Sequence, residues 1–145
     1  MPPIDFHLLL VTDRVLVCGR SLESALRESV DAGVPAIQLR ERDLPTRELL
    51  PLAQQIRAMT RDRAVPLIIN DRVDMTVALD LDGVHLRASS LPVSVVRRIV
   101  GQHRLIGVSA HSVTEVQQAG DDGADYVLLG PIFETLSKRE FGDPL

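Results

Sequence analysis

A chain of 145 residues, 45% hydrophobic and 25% charged, has the composition of one soluble globular domain with an apolar core. A formal net charge of −4 and an aromatic content of 3% speak against nucleic acid as a partner, which asks for basic patches and stacking rings. No apolar run reaches the roughly 20 residues that span a bilayer, Met1-Pro2-Pro3-Ile4-Asp5 lacks the start of a signal peptide, and a lone cysteine, Cys18, excludes an internal disulfide, so the reading is no membrane and a reducing cytoplasm.

Short apolar runs alternate with segments of helical period. The first run, His7–Thr12, leads into Asp13-Arg14 rather than a glycine-rich turn. Ser21 then caps a helix with the apolar face Leu22, Ala25, Leu26 and Val30, and Gly33 stops it. Ala36–Leu39 is the second run, and Leu49, Leu50, Ala53, Ile56 and Met59 make the next helical face, with Thr46 as its cap. Leu67–Ile69 precedes a helix over Asp71–Leu79. Gly83–Leu86 precedes one over Pro92–Val100, with Ser90 or Leu91 before its proline. Leu105–Val108 leads to Ser112-Val113-Thr114-Glu115, a capping box that opens the fifth helix, and Tyr126–Ile132 is the sixth run.

The runs are too short for helices and rich in Val, Ile and Leu, as strands buried on both faces are. Strand then helix, repeated, means parallel strands joined by crossovers. An open doubly wound sheet and a closed α/β barrel both fit that pattern. The absence of a glycine-rich first turn and the polar residues after nearly every strand favour the barrel, with its site at one rim. No linker or charge tail divides residues 1–145, which read as one domain.

The polar residues at the strand ends are the candidates for chemistry. Gln38 and Arg40 share a strand face, and Arg40 with Arg42 makes a clamp for phosphate, unless both are spent on pairs with Glu41 and Asp43. Asn70 and Asp71 suit a metal or a ligand amine; taken alone they read better as a helix cap. His85, among apolar strand residues, reads first as a hydrogen-bonded structural group. Ser109 and His111 face one way without touching, and no acidic residue orients them as a triad. Thr135, Ser137 and Lys138 are partners for pyrophosphate or simply a polar loop. Each signal is weak singly. Their common place at the C-terminal ends of parallel strands points to phosphate or pyrophosphate chemistry assisted by a divalent cation.

Leu10-Val11-Thr12-Asp13, Gln38-Leu39-Arg40-Glu41, Ile68-Ile69-Asn70-Asp71-Arg72-Val73-Asp74, Asp82-Gly83-Val84-His85-Leu86, Gly107-Val108-Ser109-Ala110-His111-Ser112 and Gly123-Ala124-Asp125-Tyr126-Val127 through Gly130-Pro131-Ile132-Phe133 resemble, in order and spacing, the thiamine phosphate synthase/TenI family. The resemblance implies a TIM-type (β/α)8 barrel, incomplete here, that joins hydroxymethylpyrimidine pyrophosphate to thiazole phosphate with the help of Mg²⁺. By matching motif, Gln38, Asn70 and His85 contact the pyrimidine. Arg40, Asn70, Ser109 and Lys138 hold the pyrophosphate as the catalytic set, Asp71 binds Mg²⁺, and Thr135 and Ser137 lie toward the thiazole.

Departures from the family pattern qualify that picture. Arg42 stands for a pyrophosphate-binding lysine, keeping the charge but changing donor geometry. Synthases follow the Val-His strand with Gly-Gln-Glu-Asp, whose Asp is a metal ligand; here the segment is Arg87-Ala88-Ser89-Ser90, so Mg²⁺ binding is expected to be weak or lost. The Arg40–Arg42 triplet, the Ser-Ser stretch and Phe133-Glu134-Thr135 lean toward the TenI branch, which includes a thiazole tautomerase, yet Pro131 stands where that enzyme has its acid/base histidine. Barrels of this kind run to roughly 200 residues or more, so these 145 residues are expected to hold all but the last two strands, and the open edges predict a homo-oligomer. The resemblance therefore carries three functional readings: synthase, tautomerase, or a ligand-binding remnant without turnover.

Overall fold

The computed structural model describes residues 4–133; Thr135, Ser137 and Lys138 lie outside the described residues. Strands and helices alternate as β1 (Leu10–Val11), α1 (Leu22–Asp31), β2 (Ile37–Leu39), α2 (Thr46–Arg61), β3 (Leu67–Asn70), α3 (Val73–Ala78), β4 (Gly83–Leu86), α4 (Val93–Val100), β5 (Leu105–Ala110), α5 (Val113–Asp121) and β6 (Tyr126–Leu129). All neighbouring strands are parallel, in the order β1-β2-β3-β4-β5-β6. That order decides between the two architectures the sequence allowed. A doubly wound sheet reverses its strand order at a switch point; this one never does. Parallel crossovers are right-handed almost without exception, so an order without reversal puts the helices on one side of the sheet, which is the winding of a barrel wall.

The two sheet faces have different chemistry. Ile37, Leu39, Leu67, Ile69, Val84, Leu86 and Ile106 are buried toward the helices. There they pack with Leu26, Val30, Ala53 and Ile56 of α1 and α2, and with Val93, Val96 and Val100 of α4. Alternation sends the residues between them to the other face. The strand register lines up Asn70, His85, Gly107 and Tyr126 as one row across four strands. Arg40 extends the row past the Leu39–Ile69 pair. One face is therefore ordinary aliphatic core, and the other carries imidazole, amide, phenol and glycine.

Several element ends differ from the sequence expectation. β1 covers two residues rather than His7–Thr12, because it pairs only with β2, through Leu10–Ile37 and Val11–Gln38. β6 stops at Leu129, short of the expected Ile132. Ser21 and Ser112 cap as expected, accepting from the Ser24 and Glu115 amides at 3.1 and 3.2 Å. Gly33 follows α1 with φ 86°, a left-handed conformation that glycine adopts without strain. Thr46 is not a cap: Pro45 holds that position, and the Thr46 hydroxyl accepts from Arg72 at 3.0 Å.

Candidate active site

The site is a cleft of about 870 Å³ at the C-terminal ends of the strands. Gln38, Arg40, Arg42, Asn70, His85 and Ser109 all line it, which brings Gln38, Arg40, Asn70, His85 and Ser109 to one rim as expected; Asp71, the expected metal ligand, is not among the lining residues.

Its arginines face the cleft because other residues occupy their acidic neighbours. Sequence proximity offers Glu41 and Asp43 as partners for Arg40 and Arg42. The structure gives both acids to Arg14 instead. Arg14 donates to Glu41 at 3.2 Å and to Asp43 at 2.6 and 2.5 Å. Thr12 completes the arrangement, donating to Glu41 at 2.7 Å and accepting from the Arg40 amide at 2.9 Å. Glu41, 5% exposed, is thus fixed by β1 and the turn after it. Arg14 holds the Asp43 carboxyl below its usual range. Arg40 and Arg42 are left without a carboxylate partner among the described residues. Burial and then the Arg42 cation lower the pKa of Arg40, the mark of a cation removed from water beside like charge.

His85 sits at the floor. It is 2% exposed, with its ring nitrogens 2.8 Å from the Ser109 hydroxyl and 3.2 Å from the Tyr126 hydroxyl. Burial first, and then the charge of Arg40, push its pKa down to about 4. The ring is therefore neutral at pH 7, donating from one nitrogen and accepting at the other. Burial holds the Tyr126 hydroxyl protonated, with its pKa raised. Gly107 makes the contact possible: a Cβ there lies 2.1 Å from Tyr126 Cζ and 2.6 Å from His85 Nδ1. Phe6 meets the Tyr126 ring edge-on, with centroids 6.1 Å apart. Beside this chain the Gln38 side-chain oxygen is buried with no hydrogen-bond partner among the described residues. An unsatisfied buried amide oxygen costs roughly 1–3 kcal/mol, which a ligand donor recovers.

Ser109 and His111 are not a catalytic pair. Ser109 bonds His85, while His111 turns to the Gly130 carbonyl and its amide donates to Glu115 at 2.7 Å. Nor do Asn70 and Asp71 cap a helix: Arg72 precedes α3, with no side-chain cap. Asp71 has φ 60°, left-handed for a non-glycine residue. Its carboxylate accepts from Arg87 on one oxygen and from Ser90 on the other. Ser90 is likewise no helix cap, since Pro92 takes that place before α4; its hydroxyl accepts from the Arg87 amide at 2.8 Å. The residues that sequence reasoning overlooked at this site are Arg14 and Tyr126. The partners of Arg14 are 27 and 29 residues distant, and Tyr126 carries only the signal of a good strand former.

A parallel sheet wound in one direction, with its polar groups gathered at the C-terminal strand ends, defines a barrel-type α/β protein with a rim site. The family model described as thiamine monophosphate synthase matches residues 8–145. The chain belongs to the thiamine monophosphate synthase family. It is 42% identical over 142 residues to a thiamine-phosphate synthase of Chloroflexus aurantiacus, covering 98% of this chain and 65% of that protein. A putative thiamine-phosphate synthase of Geobacter sulfurreducens is 43% identical over 145 residues, covering 100% and 68%. A solved structure of thiamine phosphate pyrophosphorylase from Pyrococcus furiosus superposes with a TM-score of 0.79 at 35% identity, covering 88% of this chain and 61% of that one. The chain thus spans about two thirds of the length of these relatives.

Proposed function

We propose that the protein works in thiamine biosynthesis as a transferase, joining a hydroxymethylpyrimidine pyrophosphate to a thiazole phosphate and releasing pyrophosphate. The observation that carries this reading is the orphaned Gln38 oxygen beside neutral His85, beneath a rim of arginines. An aminopyrimidine suits that floor: Gln38 accepts from its amino group, Asn70 hydrogen-bonds its ring, and His85, whose two nitrogens are held by Ser109 and Tyr126, contacts it as a neutral ring. Its pyrophosphate then falls among the arginines. The bond from the pyrimidine methylene carbon to oxygen breaks, and its electron pair leaves with pyrophosphate. The thiazole nitrogen supplies the pair for the new bond to carbon. Cations fixed before the reaction stabilise the charge that develops on the leaving group, and the cleft holds the acceptor carbon in place. Ser109 completes the pyrophosphate end. Lys138, Thr135 and Ser137 are assigned to the substrates by family resemblance alone.

Magnesium, which that resemblance calls for, does not fit the side chains as they stand. Both oxygens of Asp71 are engaged by Arg87 and Ser90. No three His, Cys, Asp or Glu side chains gather around a cation position among the described residues. The same engagement of Asp71 favours a second reading, a member that binds the pyrimidine pyrophosphate without turning it over.

Calorimetry with the pyrimidine pyrophosphate, followed by chromatography after adding thiazole phosphate, separates these readings. Binding with thiamine phosphate formed supports the transferase. Binding without product supports the second reading, and no binding sinks both. No helix among the described residues is long and apolar enough to cross a membrane, and we place the protein in the cytoplasm. We also assign it self-association, because β1 and β6 each have one strand neighbour among the described residues. Light scattering that finds monomers at high concentration counts against that assignment.

A further inference from the structure

We propose that Arg87 replaces a divalent cation in this chain, so that the cleft binds a pyrophosphate group without metal. This rests on the reading of the cleft as a pyrophosphate site and specifies what supplies its positive charge. Arg87 lines the cleft together with Arg40 and Arg42. Its Nε and Nη2 both engage one oxygen of Asp71, with Nε at 3.1 Å. A guanidinium has five N–H donors in a planar fork. Those on Nη1 have no partner among the described residues and remain for a ligand. Ser90 holds the other Asp71 oxygen and also accepts from the Arg87 amide at 2.8 Å. The turn Arg87–Ser90, closed by the Ser90 amide on the Arg87 carbonyl at 3.0 Å, therefore fixes both ends of the ion pair. Asp71 and Ser90 are positioning residues for the Arg87 side chain.

Charge balance supports the replacement. Two carboxylates around a divalent cation are neutral together; one carboxylate with one guanidinium is neutral as well. Ser90 stands where the resemblance puts the second carboxylate, and Arg87 stands where it puts glycine. One position loses a negative charge and the other gains a positive one, so a metal is neither attracted nor needed. A cation arriving at Asp71 has to displace Arg87 and then remain beside it, against like-charge repulsion. A pyrophosphate meets Arg40, Arg42 and Arg87, and no carboxylate among the described residues lines the cleft, Asp71 being paired by Arg87. Arg40 and Arg42, with no carboxylate partner among the described residues, hold phosphate oxygens with their forks, and Arg87 adds its Nη1 donors and its charge where a metal otherwise coordinates.

The test is a calorimetric titration of inorganic pyrophosphate into the 145-residue chain, in EDTA and then in millimolar Mg²⁺. The expected result is binding in EDTA that Mg²⁺ leaves unchanged or weakens. Arg87→Ala loses roughly ten- to a hundredfold in affinity, the scale of one charge-assisted contact, and Arg87→Lys recovers part of it. The double variant Ser90→Asp with Arg87→Gly gains Mg²⁺ dependence of at least about tenfold. Thermal melts show that each variant is folded before it is titrated. Binding that appears only with Mg²⁺ overturns the proposal, as do no binding in either buffer and equal Mg²⁺ dependence in the double variant and the parent. Repeating the titration with the pyrimidine pyrophosphate separates this outcome from the wider functional reading. Metal-free binding of pyrophosphate with no gain from the pyrimidine preserves the Arg87 proposal and sinks the transferase reading. Binding of both ligands only with Mg²⁺ does the reverse.

Discussion

The two ends of the sheet handle charge in opposite ways. At the N-terminal ends, Asp82 precedes β4 and Asp125 precedes β6, and each is tied down twice. The Asp82 carboxylate accepts from Arg57 at 2.6 Å and from the Leu67 amide at 2.8 Å. Asp125 accepts from Arg97 at 2.6 Å and from the Ile106 amide at 2.7 Å. The amide comes in each case from the preceding strand, β3 or β5, and the arginine from the helix before that strand, α2 or α4. Arg97 also donates to the carbonyls of Gly101, Arg104 and Gly123 at 3.0, 2.7 and 3.1 Å. At the C-terminal ends, Glu41 and Asp43 are drawn off by Arg14, and cations face an open cleft. The same residue types thus hold the fold at one end and wait for an anion at the other. What separates them is whether each charged group has an oppositely charged partner among the described residues, since at the N-terminal end too single atoms, Arg57 Nε and Asp125 Oδ1, are buried without a hydrogen bond.

The largest effect on stability is therefore expected at the closed end. The Asp125 side chain is fully buried beside Arg97. Arg97→Met leaves that carboxylate with only a backbone donor, and breaking such a pair costs roughly 3–5 kcal/mol. Urea denaturation measures it; a loss below about 1 kcal/mol says that the N-terminal end is not where the fold is locked.

His85 sharpens the comparison through pH. Its folded pKa of about 4 lies below the ordinary 6.5. Above that ordinary value the ring is neutral in both states and adds no pH dependence. As pH falls from there toward 4, the unfolded chain takes up a proton that the folded chain does not, and stability falls. The full difference is on the order of 3 kcal/mol. His85→Gln flattens that slope, read as unfolding free energy against pH for both proteins. Parallel slopes mean that His85 is not held neutral.

The smallest stability effect belongs to Arg40. It has no carboxylate partner among the described residues, and its pKa is lowered by burial. Arg40→Met is expected to change unfolding free energy by no more than about 0.5 kcal/mol, or to raise it, while pyrophosphate affinity drops. A loss of stability comparable to that of Arg97→Met erases the distinction between the two ends.

Much of this architecture is legible in the sequence, because strand and helix periods are local. The buried runs around Leu67, Gly83 and Leu105 fall where the strands are, and Ser21 and Ser112 cap helices as short-range patterns predict. Errors arise where a distant residue competes. Asp71 looks like a helix cap until Arg87, 16 residues away, claims its carboxylate. Arg40 and Arg42 look paired with Glu41 and Asp43 until Arg14 claims both acids. The choice between barrel and doubly wound sheet rests on strand order, a tertiary property that periodicity does not encode. Tyr126 joins the site only because Gly107 leaves room for its ring beside His85.

The most direct test of this division is Gln38→Leu, measured for stability and for pyrimidine pyrophosphate affinity in the same preparation. The Gln38 oxygen is buried without a partner among the described residues, so an apolar side chain of similar size removes an unsatisfied acceptor. Stability is expected to stay level or rise, and affinity for the pyrimidine pyrophosphate to fall about tenfold, the worth of one good hydrogen bond in a dry site. Unchanged affinity, or a fold that collapses without Gln38, contradicts the claim that this end of the sheet is built to be completed by a ligand.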